Sequence, residues 1–153
     1  MVQPGDVVAD FELPDQTGTP RRLSDLAADG PVVLFFYPAA MTLGCTKESC
    51  HFRDLGAEFK ALGATRVGIS RDTVEKQNEF AAKNNFDYPL LSDPDRKVAA
   101  AFGVAQGFKL GPVKRWTFVI DKDLRIMDVI KSETRMGIHA DRALEVLRSA
   151  STH

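Results

Sequence analysis

The sequence predicts an α/β fold: a mixed central sheet flanked by helices, with an N-terminal β extension. Three observations carry this. "PVVLFFY", Pro31 to Tyr37, is continuously apolar, β-branched and aromatic, which fits a central strand buried on both faces. After it, strand-like and helix-like stretches alternate as in parallel β-α-β units, and the chain closes with a hairpin and a helix. The 153 residues, 44% hydrophobic and 27% charged, suit one globular domain over 1–153 with a real core.

Taken in order, "VVADFEL" (Val7 to Leu13) has strand character. "DQTGTPRRL" is a turn, with Gly18 and Pro20 as breakers, leading into a short strand. The buried strand at 31–37 is followed by a helix beginning near Thr42 or Gly44 and ending near Gly63. Phe52, Leu55, Phe59 and Leu62 make its apolar stripe. "TRVGIS" (Thr65 to Ser70) is a strand. Asp72 and Glu75 have capping-box spacing and open a helix to about Asn84. "YPLLSD" is a short strand. "SDPDRKVAAAFG" is a helix with Ser92 as cap candidate, Pro94 in its first turn and Gly103 as its stop. "VKRWTFVID" and "LRIMDVI" form a hairpin turning at Asp121–Asp123. The tail from His139 to Ser149 is helical, with Ala140, Ala143, Leu144 and Leu147 on one face. A thioredoxin-like core, β-α-β then β-β-α, with N-terminal extensions and an inserted helix is the simplest arrangement with this order.

Charge and composition narrow the function. A net charge of −1 favours neither nucleic acid nor an anionic membrane as partner. No apolar run approaches the roughly 20 residues that span a bilayer, and "MVQPGDVVADFELPD" lacks the basic-then-apolar pattern of a signal peptide. The expected location is the cytoplasm, where structural disulfides are uncommon.

The chain has only two cysteines, and they stand five positions apart, directly after the buried strand. Cys45 falls where that strand has ended and a helix begins. Ligands gather at such carboxyl ends of strands, and the unpaired N–H groups of a helix start favour a thiolate. Thr42 can cap the Cys45 N–H or donate to a bound oxygen, and Pro38 ends the strand and shapes the loop over the site. Cys50 lies about 7.5 Å and roughly 140° further along the helix, whereas a disulfide needs Cα atoms about 4.4–6.8 Å apart. Bonding between the two therefore requires the first helical turns to unwind.

A cysteine in such a chain is ordinarily a small buried hydrophobe. Structural zinc needs four ligands, and His51, His139 and His153 have no ligand spacing. No partner is evident for a Cys–His dyad. A phosphatase loop wants arginine six residues after its cysteine, where this chain has His51 and Gly56. The C-x-x-C of thiol–disulfide oxidoreductases is absent, because the third residue after Cys45 is Glu48.

"YPAAMTLGCTKESCHFRDL" resembles the active-site segment of peroxiredoxins of the bacterioferritin comigratory protein, or PrxQ, type. The family motif Pro-x-x-x-Thr/Ser-x-x-Cys is matched by Pro38, Thr42 and Cys45, and the second cysteine five residues on by Cys50. "GDVVADFELPDQTG", "FRDL" and "RWTFVID" are also similar, and the likeness runs from about Pro4 to Leu147. Leu43 stands where proline is common in the family, and Trp116 where a small or β-branched residue is more usual.

The resemblance implies an atypical two-cysteine thiol peroxidase acting on hydrogen peroxide and organic hydroperoxides. Cys45 would become sulfenic acid, and Cys50 would resolve it to an intramolecular disulfide, reduced in turn by thioredoxin or a similar thiol carrier. Arg115, by itself a solvated flank of a strand, would hold the thiolate and peroxide. Thr42 and the Cys45 N–H would stabilise the leaving oxygen, and Pro38 would shield the sulfur. No metal, haem or flavin is required, and a monomer is expected because both cysteines lie in one chain. Glu48 is a weaker candidate that could support the site from behind, with a solvated helix residue as the leading reading, and His51 and Arg53 are read as structural or surface residues. The rival readings are a general thiol–disulfide oxidoreductase and a redox sensor that does not turn over.

Overall fold

The computed structural model describes residues 2–105 and 113–151; His153 lies outside them. β1 (Glu12–Pro14) and β2 (Pro20–Arg22) pair antiparallel as a small separate sheet. Asp15 closes their turn by accepting from the Thr17 and Thr19 N–H groups and Arg21 Nε at 2.8, 3.1 and 2.8 Å. The expected strand over Val7–Leu13 is present only from Glu12. Before it, Asp10 and the Phe11 carbonyl take the Ser24 and Leu23 N–H groups, and Val7 makes one isolated bridge to Arg125. Those bonds lead into α1 (Leu23–Leu26), a single turn too short to leave a periodic signature.

The main sheet holds β3 (Val32–Phe36), β4 (Thr65–Ser70), β5 (Leu90–Ser92), β6 (Trp116–Ile120) and β7 (Ile126–Lys131), in the order β5-β4-β3-β6-β7. β3, β4 and β5 are parallel; β6 and β7 run antiparallel. Every residue of β3 is buried, as the unbroken apolar run predicts. Leu34 and Phe36 face a core shared with α1 and α5 (Lys97–Ala101). Val33 and Phe35 face a second core shared with α2 (Leu43–Asp54), α3 (Gly56–Ala61), α4 (Val74–Asn84) and α6 (Ile138–Ser151). The mixed sheet with helices on both faces, and the thioredoxin-like order β3-α2-β4 then β6-β7-α6, are thus as expected.

Three local readings are corrected. The single helix expected from Thr42 to Gly63 is two, broken at Leu55. Arg66 of β4 reaches into the junction and donates from Nη1 to the Phe52 carbonyl at 2.9 Å. Its guanidinium lies so close that a Cβ on Gly56 would come within 3.1 Å of it. The cap of α4 is Thr73, whose hydroxyl accepts from Lys76 N; Asp72 instead accepts from the Ala40 N–H at 2.7 Å and pins the loop before α2. Ser92 does not cap α5. Its hydroxyl donates to the Asp72 carbonyl, and the Asp93 carboxylate takes the Val98 and Ala99 N–H groups. Gly103, at φ +76°, stops α5 as expected. The 121–123 hairpin is as expected, with Asp121 accepting from the Asp123 and Arg125 N–H groups. So is the buried face of α6 formed by Ala140, Ala143, Leu144 and Leu147.

Candidate active site

β3 delivers the chain to the C-terminal edge of the sheet, where Tyr37 still bonds Ile69 and half-buried Pro38 ends the strand. The loop to Met41 turns through a left-handed residue, Met41 at φ +68°, and α2 starts at Leu43. Cys45 therefore sits in the first turn of α2. It is 1% exposed and packed in the core cluster that contains Phe35, Tyr37 and Ala140. Both cysteines are free, and both lie in the one helix.

Arg115 arrives from the start of β6 and is buried, not the solvated flank its sequence position suggested. Its guanidinium lies against the first turn of α2, where its charge interacts with Cys45, and donates from Nη1 to Glu48 Oε1 at 2.9 Å. Glu133 accepts the Arg115 backbone N–H at 3.1 Å on each oxygen. Burial alone would lower the Arg115 pKa, but the charges of Glu48 and Cys45 outweigh it and raise it. Gly44 makes room for the guanidinium: a Cβ there would meet Met136 Cε at 3.0 Å and Arg115 Nη2 at 3.4 Å.

Thr42 is the N-cap residue, yet its side chain caps nothing. The exposed hydroxyl donates to the Ala39 carbonyl at 2.8 Å, so the expected bond to the Cys45 N–H is not made. Cys50 is half-buried. Its sulfur lies 3.7 Å from Asn84 Oδ1 and borders a surface cavity of about 310 Å³ shared with Lys47, His51, Asp54 and Gly137. His51 pairs with Asp141, and Arg53 donates to the Asn84 carbonyl, both away from Cys45. A larger cavity, about 540 Å³ between the N-terminal segment and α5, contains none of these groups. The chemistry is marked by charge placement, not by the size of a cleft.

Glu48 departs from its leading sequence reading and takes the other one, a group supporting the site through Arg115. It is fully buried, not solvated. A signal existed: the apolar stripe of Phe52, Leu55 and Phe59, continued backwards, passes through Ser49 and Glu48 to Cys45 at helical spacing. Burial, opposed by Arg115 and reinforced by Glu133, pushes the Glu48 pKa up to about 8. Oε1 is taken by Arg115, while Oε2 finds no partner among the described residues. His139 Nδ1, 3.6 Å from Oε2, carries no proton to give. His139 Nε2 must donate to the Ser132 carbonyl at 2.8 Å, so Nδ1 accepts from the Thr117 hydroxyl. Burial lowers the His139 pKa and keeps the ring neutral. Burial thus favours the protonated form of Glu48, with Oε1 taken by Arg115 and Oε2 without a partner among the described residues.

This has a consequence for stability. Glu48 ionises at an ordinary 4.5 when unfolded and at about 8 when folded, so the folded state binds the proton more tightly. Its contribution is complete below pH 4.5 and is lost as pH rises through about 8. Thermal melts from pH 5 to 8 should show wild-type Tm falling more steeply than that of Glu48→Gln, which keeps the Arg115 bond but cannot ionise. Parallel curves would mean that Glu48 does not hold the proton.

The chain matches the AhpC/TSA family over residues 4–129. A putative peroxiredoxin of Mycobacterium tuberculosis is 67% identical over 147 residues, covering 95% of this chain and 96% of the relative. Peroxiredoxin Q of the Sedum lineare chloroplast is 39% identical over 148 residues, covering 97% of this chain and 79% of the relative. The crystal structure of peroxidoxin BcpB from Mycobacterium tuberculosis superposes with a TM-score of 0.95 at 66% identity, covering 97% of this chain and 98% of that one.

Proposed function

Because this chain belongs to the AhpC/TSA family, with peroxiredoxins of the Q type among its relatives, we propose that it reduces hydroperoxides through the sulfur of Cys45. The observation that supports this most is the buried Arg115 guanidinium, which lies against the first turn of α2 beside Gly44 and whose charge interacts with Cys45. A fixed cation beside a helix N-terminus stabilises a thiolate and the negative charge that develops on a departing oxygen.

The Cys45 thiolate attacks one peroxide oxygen. The O–O bond breaks, the second oxygen leaves with a proton as water or alcohol, and Cys45 becomes sulfenic acid. Arg115 positions both the thiolate and the peroxide. The exposed Thr42 hydroxyl turns from the Ala39 carbonyl to the bound oxygen by rotation about its side chain. Pro38 shields the sulfur. Cys50 then attacks the Cys45 sulfur, water leaves, and an intramolecular disulfide forms. A dithiol carrier of the thioredoxin kind returns both sulfurs to thiols. Because the two cysteines share a continuous helix, the second step requires residues between them to unwind. We place the reaction in the cytoplasm, where such carriers keep thiols reduced, and in a monomer, since both sulfurs come from one chain. Among the described residues, no helix is long and apolar enough to cross a membrane.

Cys50→Ser tests the cycle. Supplied with thioredoxin, its reductase and NADPH, the wild type should consume many equivalents of hydrogen peroxide. The variant should form about one sulfenic acid per chain and then stop, read by NADPH oxidation and by trapping with dimedone. Normal turnover by Cys50→Ser would remove Cys50 from the cycle. A wild type that stops after one equivalent would make the protein a sensor.

A further inference from the structure

Helix α2 is held to the body of the protein unevenly along its length. Its middle carries two unsatisfied buried polar atoms, Glu48 Oε2 and Ser49 Oγ, which find no partner among the described residues. Both cost free energy in the helical state and regain water when the segment unwinds. Against this stand two side chains from outside the helix. Tyr88, 4% exposed, donates its hydroxyl to the Ser49 carbonyl at 2.7 Å. Arg66 donates to the Phe52 carbonyl at 2.9 Å and is itself fixed by a two-point pair with Asp87 at 3.0 and 2.9 Å. Phe52 also stacks on Phe35, with ring centroids 4.2 Å apart.

The two ties differ in kind. Arg66 and Phe35 grip residue 52, beyond Cys50, and nothing in the disulfide step requires that grip to open. The Tyr88 bond falls on residue 49, between the two cysteines, within the stretch that must leave helical geometry. When that stretch unwinds, the phenol hydroxyl loses its acceptor while its ring stays wedged between Phe35, Phe86 and the Arg66 guanidinium.

We propose that the Tyr88 hydroxyl is the latch that sets how fast Cys50 reaches Cys45, and that the unwinding ends at Phe52, where Arg66 anchors the helix. This rests on the reading of Cys50 as the resolving residue. The latch makes α2 helical long enough to present Cys45 and Arg115 to peroxide, and its release rate sets how long the sulfenic acid survives. A long-lived sulfenic acid meets a second peroxide and goes to sulfinic acid, which the thiol carriers do not reverse. Tyr88 is a positioning residue and touches neither sulfur.

The test is Tyr88→Phe, which keeps the ring, its stacking and its place over Arg66 and removes only the hydroxyl. In a single turnover with hydrogen peroxide, rapid quenching with an alkylating agent followed by mass spectrometry times sulfenic acid and disulfide separately. The expected result is an unchanged rate for sulfenic acid formation and a roughly tenfold faster disulfide step, the factor set by loss of one buried hydrogen bond. Less sulfinic acid should accumulate at high peroxide. Amide exchange in the reduced variant should quicken over residues 46–51 and remain at the wild-type rate in α3. An unchanged disulfide step overturns the latch. A slower first step, or exchange raised equally in α3, overturns it too, because Tyr88 would then support the fold generally. If the wild type forms no Cys45–Cys50 disulfide at all, the resolving role of Cys50 fails, and the latch with it.

Discussion

Cys45→Ser is expected to lose peroxide reduction altogether, by at least roughly four orders of magnitude, the scale on which other covalent catalysts respond to loss of their nucleophile. A serine hydroxyl does not ionise near neutrality, and its oxygen gives no sulfenic acid to resolve. The fold should survive. Position 45 is buried, but serine fits the space of the cysteine and the Arg115 guanidinium lies close by, against the first turn of α2. The cost should be near 1 kcal/mol, or about 2–4 °C in Tm. Peroxide consumption followed by a ferrous-iron assay, beside a thermal melt, separates lost chemistry from lost structure. Residual activity near that of the wild type would move the reaction to another group and remove the premise of the mechanism.

Arg115→Leu should strike both activity and stability, by different routes. Removing the cation that orients thiolate and peroxide should slow sulfenic acid formation by about 10²–10³, the effect of deleting a preorganised donor from an active site. It also leaves Glu48 buried without its partner, and breaking a buried pair commonly costs about 3–5 kcal/mol. Here the carboxyl has an escape. Already titrating at about 8 beside Arg115, it holds its proton still more tightly without it. The stability loss should thus be small at pH 6 and grow through pH 9. The double variant Arg115→Leu, Glu48→Gln should recover the stability and not the rate. Recovery of both would mean that Arg115 serves the fold alone. A single variant that reacts with peroxide at the wild-type rate would remove the guanidinium from the chemistry.

Much of the frame was legible because it is written in neighbouring residues. The strand over Thr65–Ser70 has the expected bounds, and the unbroken apolar run at β3 is buried throughout. The placement of Cys45 at the junction of that strand with a helix followed from the same local patterns. The readings that failed concern groups whose partners lie far along the chain. Asp72 and Glu75 have the spacing of a cap, yet Asp72 is claimed by the Ala40 N–H across 32 positions. A helix that should have run to Gly63 breaks because an arginine 14 positions away takes the Phe52 carbonyl.

The sequence by itself determined the order of elements, the alternation of buried and exposed faces, and the two sulfurs on one helix. Each follows from backbone periodicity and side-chain polarity over a few residues. Only the tertiary structure decided that Arg115 and Glu48, 67 positions apart, would share one buried pair beside Cys45. It also decided that Tyr88 would reach the Ser49 carbonyl across 39 positions. The state of a buried ionisable or polar group is set by the dielectric and the partners around it. Packing alone brings those partners together, and no local pattern encodes them.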